Sequence, residues 1–191
     1  MSEIKVLIEG YTSGETNGRS CSTVVLIKDD FDGVEMNIVV DPGTLSSQQA
    51  LIDELKKEGV KPKDVDIVVI THSHMDHYAN IGMFSNAKSL SFDGWYNYDF
   101  WGKCNGKISN DLKLIKTPGH SDDSITLLVK TKIDGKPAIV AICGDVFWKE
   151  NLPKKDKFAN NEVELMKSRK KVLKIADYII PGHGGMYKVN N

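Results

Sequence analysis

The chain has 191 residues, 40% of them hydrophobic and 27% charged, with a net charge of −1 at neutral pH. That length fits one domain over residues 1–191, with enough surface buried on folding for a sizeable core. The composition is that of an ordinary globular protein; it offers no apolar run of membrane-spanning length and no broad basic footprint for nucleic acid.

Residues 1–5 lead straight into an apolar segment and lack the basic stretch, hydrophobic core and cleavage site of a secretory signal. Residues 5–9 read as a strand, followed by a Gly, Ser, Thr and Asn-rich loop over 10–20. That loop is either a flexible lid or a long hairpin connection. Residues 22–27 form a second strand and 37–40 a third, which ends at Asp41-Pro42-Gly43-Thr44. A helix follows: Ser46 with Gln49 resembles a capping box, Leu51 and Leu55 share a face, and Gly59 closes it.

Residues 65–70, apolar but for Asp66, are a run of strand length, the pattern of a strand buried on both faces. Residues 78–84 start a helix and 88–92 a strand. Residues 112–115, 124–130 and 138–143 give three more strands, with an Asp134-Gly135 hairpin turn between the last two. A polar, helical stretch runs to Ala176, and residues 178–180 form a last short strand. Strand and helix alternate, so the fold class is α/β. The three cysteines, an odd number with no C-x-x-C pair, suit reduced thiols in the cytoplasm. Cys143 closes an apolar run and reads as buried packing. The lysines between 149 and 157 and between 167 and 174 are mixed with acids and read as a solvated face.

All five histidines fall at candidate sites. Three lie in Thr71-His72-Ser73-His74-Met75-Asp76-His77, one in Thr117-Pro118-Gly119-His120 and one in Pro181-Gly182-His183-Gly184. In an extended segment leaving a strand, His72 and His74 point the same way and reach one cation. If the chain then turns into a helix, Asp76 and His77 project together toward a second. His120, Asp145 and His183 each end a strand-like run, where α/β proteins gather their sites. Imidazole and carboxylate without thiolate favours zinc and admits iron or manganese.

The motif resembles the H-x-H-x-D-H signature of the metallo-beta-lactamase superfamily, and the later landmarks follow in that family's order: Asp41 upstream, then His120, Gly144-Asp145 and His183. Within it the chain is most similar to the small proteins grouped with metallo-beta-lactamase domain-containing protein 1. The residues behind this are Gly144-Asp145-Val146-Phe147, Ser168-Arg169-Lys170-Lys171-Val172-Leu173, Ala176-Asp177 and the segment 77–84. The resemblance implies an αβ/βα four-layer sandwich of two mixed sheets flanked by helices. It implies that His72, His74 and His120 hold one metal, that Asp76, His77 and His183 hold a second, and that Asp145 bridges both. It places Asp41 behind the ligands, steadying the loops.

Two cations about 3.5–4 Å apart share a water and lower its pKa to about 7, giving a hydroxide that attacks a carbonyl or phosphoryl centre. Asp76 orients that hydroxide or takes its proton. The expected enzyme is a binuclear, metal-dependent hydrolase, zinc-loaded, acting on a small ester, thioester or phosphodiester. The absence of a signal sequence argues against a secreted antibiotic-degrading enzyme, and charge −1 does not favour a nuclease, although nucleic acid stays open as a substrate. The alternative is an iron-dependent sulfur dioxygenase or a metal-binding member without turnover. A small-molecule substrate, no membrane and a homodimer complete the expectations. The aromatics Trp95, Tyr96, Tyr98, Phe100 and Trp101 read as core or subunit interface, with a pocket wall or a base-stacking platform as the sharper alternative.

Overall fold

The computed structural model describes residues 1–150 and 152–190. Its first sheet contains β1 (Glu3–Ile8), β2 (Val24–Phe31), β3 (Val34–Val40), β4 (Ile67–Val69), β5 (Lys88–Ser91), β6 (Gly94–Asn97) and β7 (Phe100–Gly102), in that spatial order. The second runs in the order β12 (Tyr187–Lys188), β11 (Tyr178–Ile180), β10 (Lys136–Ile142), β9 (Ile125–Ile133) and β8 (Leu112–Lys116). Both are mixed: β4 is parallel to β3 and β5, and β11 is parallel to β10, while the remaining pairs are antiparallel.

Period-two side-chain alternation sends successive side chains of a strand to opposite faces, and where both faces are covered the strand carries an apolar run. In β2, Val25 and Ile27 face the second sheet and pack with Ile38, Val40, Leu127 and Val140. Leu26, between them, faces the other way and packs with Val39, Val68 and the helix residues Leu51 and Leu55. The second sheet repeats the arrangement: Ala141, Cys143 and Ile179 turn outward onto Leu165 and Val172. Each sheet is therefore covered on both faces, which is the physical requirement behind the runs at 65–70 and 138–143. The result is a four-layer αβ/βα sandwich, the architecture that the sequence resemblance implies.

The helices are α1 (Gln48–Lys57), α2 (Met75–Tyr78) and α3 (Glu162–Ile175). α1 begins one residue later than the capping pattern suggests. Ser47, not Ser46, is the N-cap, and its side chain accepts from the Gln49 N–H at 3.1 Å. α3 is capped by Asn161, whose side chain accepts from Glu164 N–H, and carries Glu162 and Glu164 in its first turn, where acids complement the helix dipole. The helix expected over 78–84 is instead two pieces. α2 starts at Met75, inside the histidine motif, and a separate 3-10 turn covers Ile81–Met83.

The aromatic segment forms the β6–β7 hairpin at one edge of the first sheet. Trp95 packs against the core between the sheets, whereas Tyr98 and Phe100 are 81% and 71% exposed. Among the described residues, no helix is long and apolar enough to cross a membrane.

Candidate metal centre

Strand ends deliver the site. β4 stops at Val69, and the next residues carry His72 and His74 before α2 opens. His74 is the N-cap of α2 in extended conformation, so Asp76 and His77 follow on the first helical turn. His120 follows β8 in a turn pressed against α3. Gly119 lies at φ +135, and a Cβ there would collide with the Leu165 backbone. The α3 residue Ser168 donates its hydroxyl to the Pro118 carbonyl at 2.7 Å, fixing the same turn. Asp145 sits just past β10. The adjoining loop is held by Arg169 of α3, whose Nε donates to the Val146 carbonyl and Nη1 to the Pro153 carbonyl, both at 2.8 Å. His183 follows β11, and its loop is bound to Thr23, the residue before β2, whose hydroxyl donates to the Gly184 carbonyl at 2.9 Å.

The structure brings all seven candidate donors together in two groups. His72, His74, His120 and Asp145 form one, and Asp76, His77 and His183 the other, with donor atoms within 4.8 Å of one another inside each group. Asp145 joins them. Its Oδ2 lies 3.4 Å from His120 Nε2, and its Oδ1 lies 3.3 Å from both His77 Nε2 and His183 Nε2. Asp41 is outside the donor cluster. Held at φ +48, it accepts from Thr71 N–H at 2.8 Å and Thr71 Oγ1 at 2.6 Å, and it contacts His77 Nδ1 at 2.8 Å. An unusual left-handed Asp is the kind of backbone strain that a functional loop sustains.

The outward ring nitrogens show which way the lone pairs face. A carboxylate and a carbonyl only accept, so His77 Nδ1–H donates to Asp41, His120 Nδ1–H to Asp156 at 2.7 Å, and His183 Nδ1–H to the Cys21 carbonyl at 2.9 Å. Thr71 Oγ1 already donates to Asp41, so it accepts from His72 Nδ1–H at 3.1 Å. Four imidazoles are thereby set with Nε2 inward. His74 turns Nδ1 inward instead, 3.0 Å from His72 Nε2 and 2.9 Å from His120 Nε2.

Burial and the neighbouring His77 push the His72 imidazole well below its ordinary pKa, and burial and His120 lower that of His74. Burial opposes charge on His77 too, but the Asp41 and Asp145 carboxylates outweigh it and raise His77 well above the usual range. His183 is raised against its burial by Asp145. The Asp145 carboxyl is buried, yet His77 and His183 hold it well below the usual carboxylate range.

This arrangement fits cations. A tetrahedral ion with nitrogen ligands at about 2.0–2.1 Å spaces its donors about 3.3 Å apart. Donors here come as close as 2.9 Å, between His120 Nε2 and His74 Nδ1, and 3.7 Å, between His183 Nε2 and Asp76 Oδ2, and all lie within 4.8 Å inside each group. His77 Nε2 and Asp145 Oδ1 are buried without a hydrogen-bond partner among the described residues, which fits atoms that could ligate a cation.

Five of the donors, His74, Asp76, His120, Asp145 and His183, line a cavity of about 370 Å³. Thr12, Ser13 and Ser20 line it, so the loop over 10–20 forms a wall of the site, and Ser20 donates its hydroxyl to Asp76 Oδ2 at 2.5 Å. Trp148 and Phe158 form another wall. Sequence reasoning misses Asp156, Ser20, Trp148 and Phe158. Asp156 lies in Lys154-Lys155-Asp156-Lys157, a stretch that reads as solvated, yet it is only 4% exposed.

Comparison with known proteins agrees with this geometry. A family model described as the metallo-beta-lactamase superfamily matches residues 17–91. The chain is 33% identical over 197 residues to the metallo-beta-lactamase domain-containing protein 1 of Xenopus laevis, covering 97% of this chain and 81% of that one. It is 30% identical over 158 residues to a probable metallo-hydrolase of Methanocaldococcus jannaschii, covering 78% and 71%. The crystal structure of a candidate metallo-beta-lactamase from Thermotoga maritima shares the fold with a TM-score of 0.74 at 22% identity, covering 98% and 99% of the two chains. The chain belongs to the metallo-beta-lactamase superfamily.

Proposed function

We propose that the chain is a hydrolase that holds two divalent cations and adds water across an ester, thioester or phosphodiester bond of a small molecule. The observation that carries this reading is the shared carboxylate: Asp145 turns one oxygen toward His120 and the other toward His77 and His183. His72, His74 and His120 would hold one cation, and Asp76, His77 and His183 the other, with Asp145 serving both. Two bound cations, zinc on this donor set, would lower the pKa of a water to about 7 and stabilise negative charge developing on the substrate oxygen.

In the net reaction the water oxygen bonds to the acyl carbon or phosphorus and the bond to the leaving oxygen or sulfur breaks. One water proton passes to the leaving group. Asp76 is the residue we assign to that proton: it lines the cavity, is only part-buried, and is oriented by the Ser20 hydroxyl. Asp41, Asp156 and the Cys21 carbonyl keep their imidazoles in the tautomer that presents a lone pair inward. The free thiols of Cys21, Cys104 and Cys143 support a reducing, cytoplasmic setting.

Metal quantitation on protein purified without added metal, coupled to a panel of esters, thioesters and phosphodiesters, tests the reading. Two equivalents of zinc and chelator-sensitive turnover are expected, and Asp145→Ala loses both. Full metal content and turnover in that variant would refute the role given to Asp145. A single iron with oxygen uptake would replace hydrolysis by sulfur oxygenation.

A further inference from the structure

The walls of the cavity differ in chemistry from its floor. Trp148 and Phe158 stack with ring centroids 5.6 Å apart and planes at 21°, and Trp148 sets its edge against His120 at 6.3 Å. This aromatic shelf therefore begins beside one donor group and runs outward to Phe158, which is 59% exposed. It is a built feature: Asp156 bonds His120 through Oδ2 and accepts the Phe158 N–H through Oδ1 at 2.9 Å, so one carboxylate braces both the donor and the shelf. The loop residues Thr12, Ser13 and Ser20, polar and uncharged, also line the cavity.

No lysine or arginine is among the residues lining this cavity. Lys149, next in the chain to Trp148, is paired with Glu15 of the opposite loop, and Lys157 lies 4.9 Å from the Phe158 ring centroid without lining the cavity. The Glu15–Lys149 pair ties the two walls together and cancels an ammonium beside the shelf. Lys149 also holds the Glu15 carboxyl down at about 2, so the pair stays charged across the neutral range. A chain of phosphates would need cationic partners beyond the reacting group, and these walls supply none.

Resting on the hydrolase reading above, we propose that the Trp148–Phe158 shelf is a subsite for an apolar, preferably aromatic, group, and that the substrate is an uncharged carboxylic ester or thioester. The water oxygen joins the acyl carbon, the C–O or C–S bond breaks, and the alcohol or thiol leaves with one water proton. Flat apolar groups gain both area burial and ring stacking on such a shelf.

The test uses the zinc-loaded full chain with methyl 4-phenylbutyrate, methyl acetate and bis(p-nitrophenyl) phosphate. Wild type favours the phenylated ester over methyl acetate through KM. Phe158→Ala reduces that kcat/KM ratio about tenfold, the size expected for losing one stacked ring, and Phe158→Leu restores part of it. Glu15→Gln, which frees Lys149, raises kcat/KM for the diester several-fold relative to the esters. A second readout needs no turnover: the Kd of the metal-free protein for N-methyl-4-phenylbutyramide, by calorimetry, rises about tenfold in Phe158→Ala. A diester preferred over both esters overturns the uncharged-ester assignment, and a Phe158→Ala variant that alters neither the ratio nor the Kd overturns the subsite; either leaves the hydrolase reading standing. Turnover of none of the three overturns the hydrolase reading, and the substrate assignment with it.

Discussion

Replacing Asp156 by Asn isolates what a buried carboxylate behind a ligand contributes. Asp156 has two oxygens with two duties, one accepting His120 Nδ1–H at 2.7 Å and the other the Phe158 N–H at 2.9 Å. Asn keeps the shape but has a single acceptor. If its oxygen goes to Phe158, the amide NH2 faces His120 Nδ1 and drives the ring to the tautomer with hydrogen on Nε2, which removes the inward lone pair. If its oxygen goes to His120, the Phe158 N–H is left unpaired and a charge-assisted bond becomes a neutral one, roughly halving its strength. Either outcome weakens cation binding by about 10–100-fold, or roughly 1.4–2.7 kcal/mol. The loss is selective, because Asp156 touches the His72–His74–His120 group and not His77 or His183. Zinc competition against a chelator, read as two binding steps, measures this. One step weakens by that factor and the other stays within a few-fold. Two unchanged steps in a folded variant would refute the bracing role.

The other expectations concern space, protons and thiols. Gly182→Ala puts a Cβ into Asp145 Oδ1 and 3.0 Å from the Gly144 carbonyl carbon, so Asp145 must move. Zinc binding should fall sharply and stability by about 1–3 kcal/mol, with native zinc stoichiometry as the contrary result. His77 and His183 have raised pKa values in the metal-free protein, so they carry protons above the usual histidine range, and a cation must displace them. Loading therefore releases roughly one to two protons near neutrality, and affinity rises with pH until those groups are deprotonated; calorimetry in buffers of different ionisation enthalpy counts the protons. No proton release at pH 7 would contradict the Asp41–His77–Asp145 electrostatics. Burial lifts the Cys21 thiol to about 11 and the Cys143 thiol to about 12, so iodoacetamide at pH 8 should label the half-buried Cys104 first. Mass spectrometry of the native protein decides this, and Cys21 or Cys143 reacting as fast as Cys104 is the refuting outcome.

How much of the fold is legible in the residues follows from how far each feature depends on tertiary contact. The central strands read well because burial on both faces demands a continuous apolar run, a local and strong signal at 67–70 and 138–143. The hairpin at Asp134-Gly135 is equally plain, since both residues take positive φ there, at 50° and 76°. The β6–β7 hairpin escapes sequence reasoning because its strands are short and its turn residue, Tyr98 at φ 54, carries no turn signal. α2 begins earlier than the sequence pattern indicates because Met75-Asp76-His77-Tyr78 forms a single turn with no side-chain cap and little apolar periodicity.

The site divides along the same line. Histidine is scarce in this chain and its five copies fall in three segments that follow β4, β8 and β11, so the inward-facing donors stand out from residue type and position alone. The groups that aim them do not. Asp156 looks like a solvated acid among lysines until the segment after β10 folds back onto His120, and the Cys21 carbonyl carries no side-chain identity at all. Ser20, Trp148 and Phe158 come from two loops that meet only over the finished site. The chemistry of the floor is thus written in residue types, whereas its orientation and the character of its walls arise from which loops the sandwich brings together. That division explains why the reaction class is read more readily than the substrate. The proposed hydrolysis rests on the seven donors, whereas the proposed substrate rests on an aromatic shelf and an ion pair that no local pattern announces.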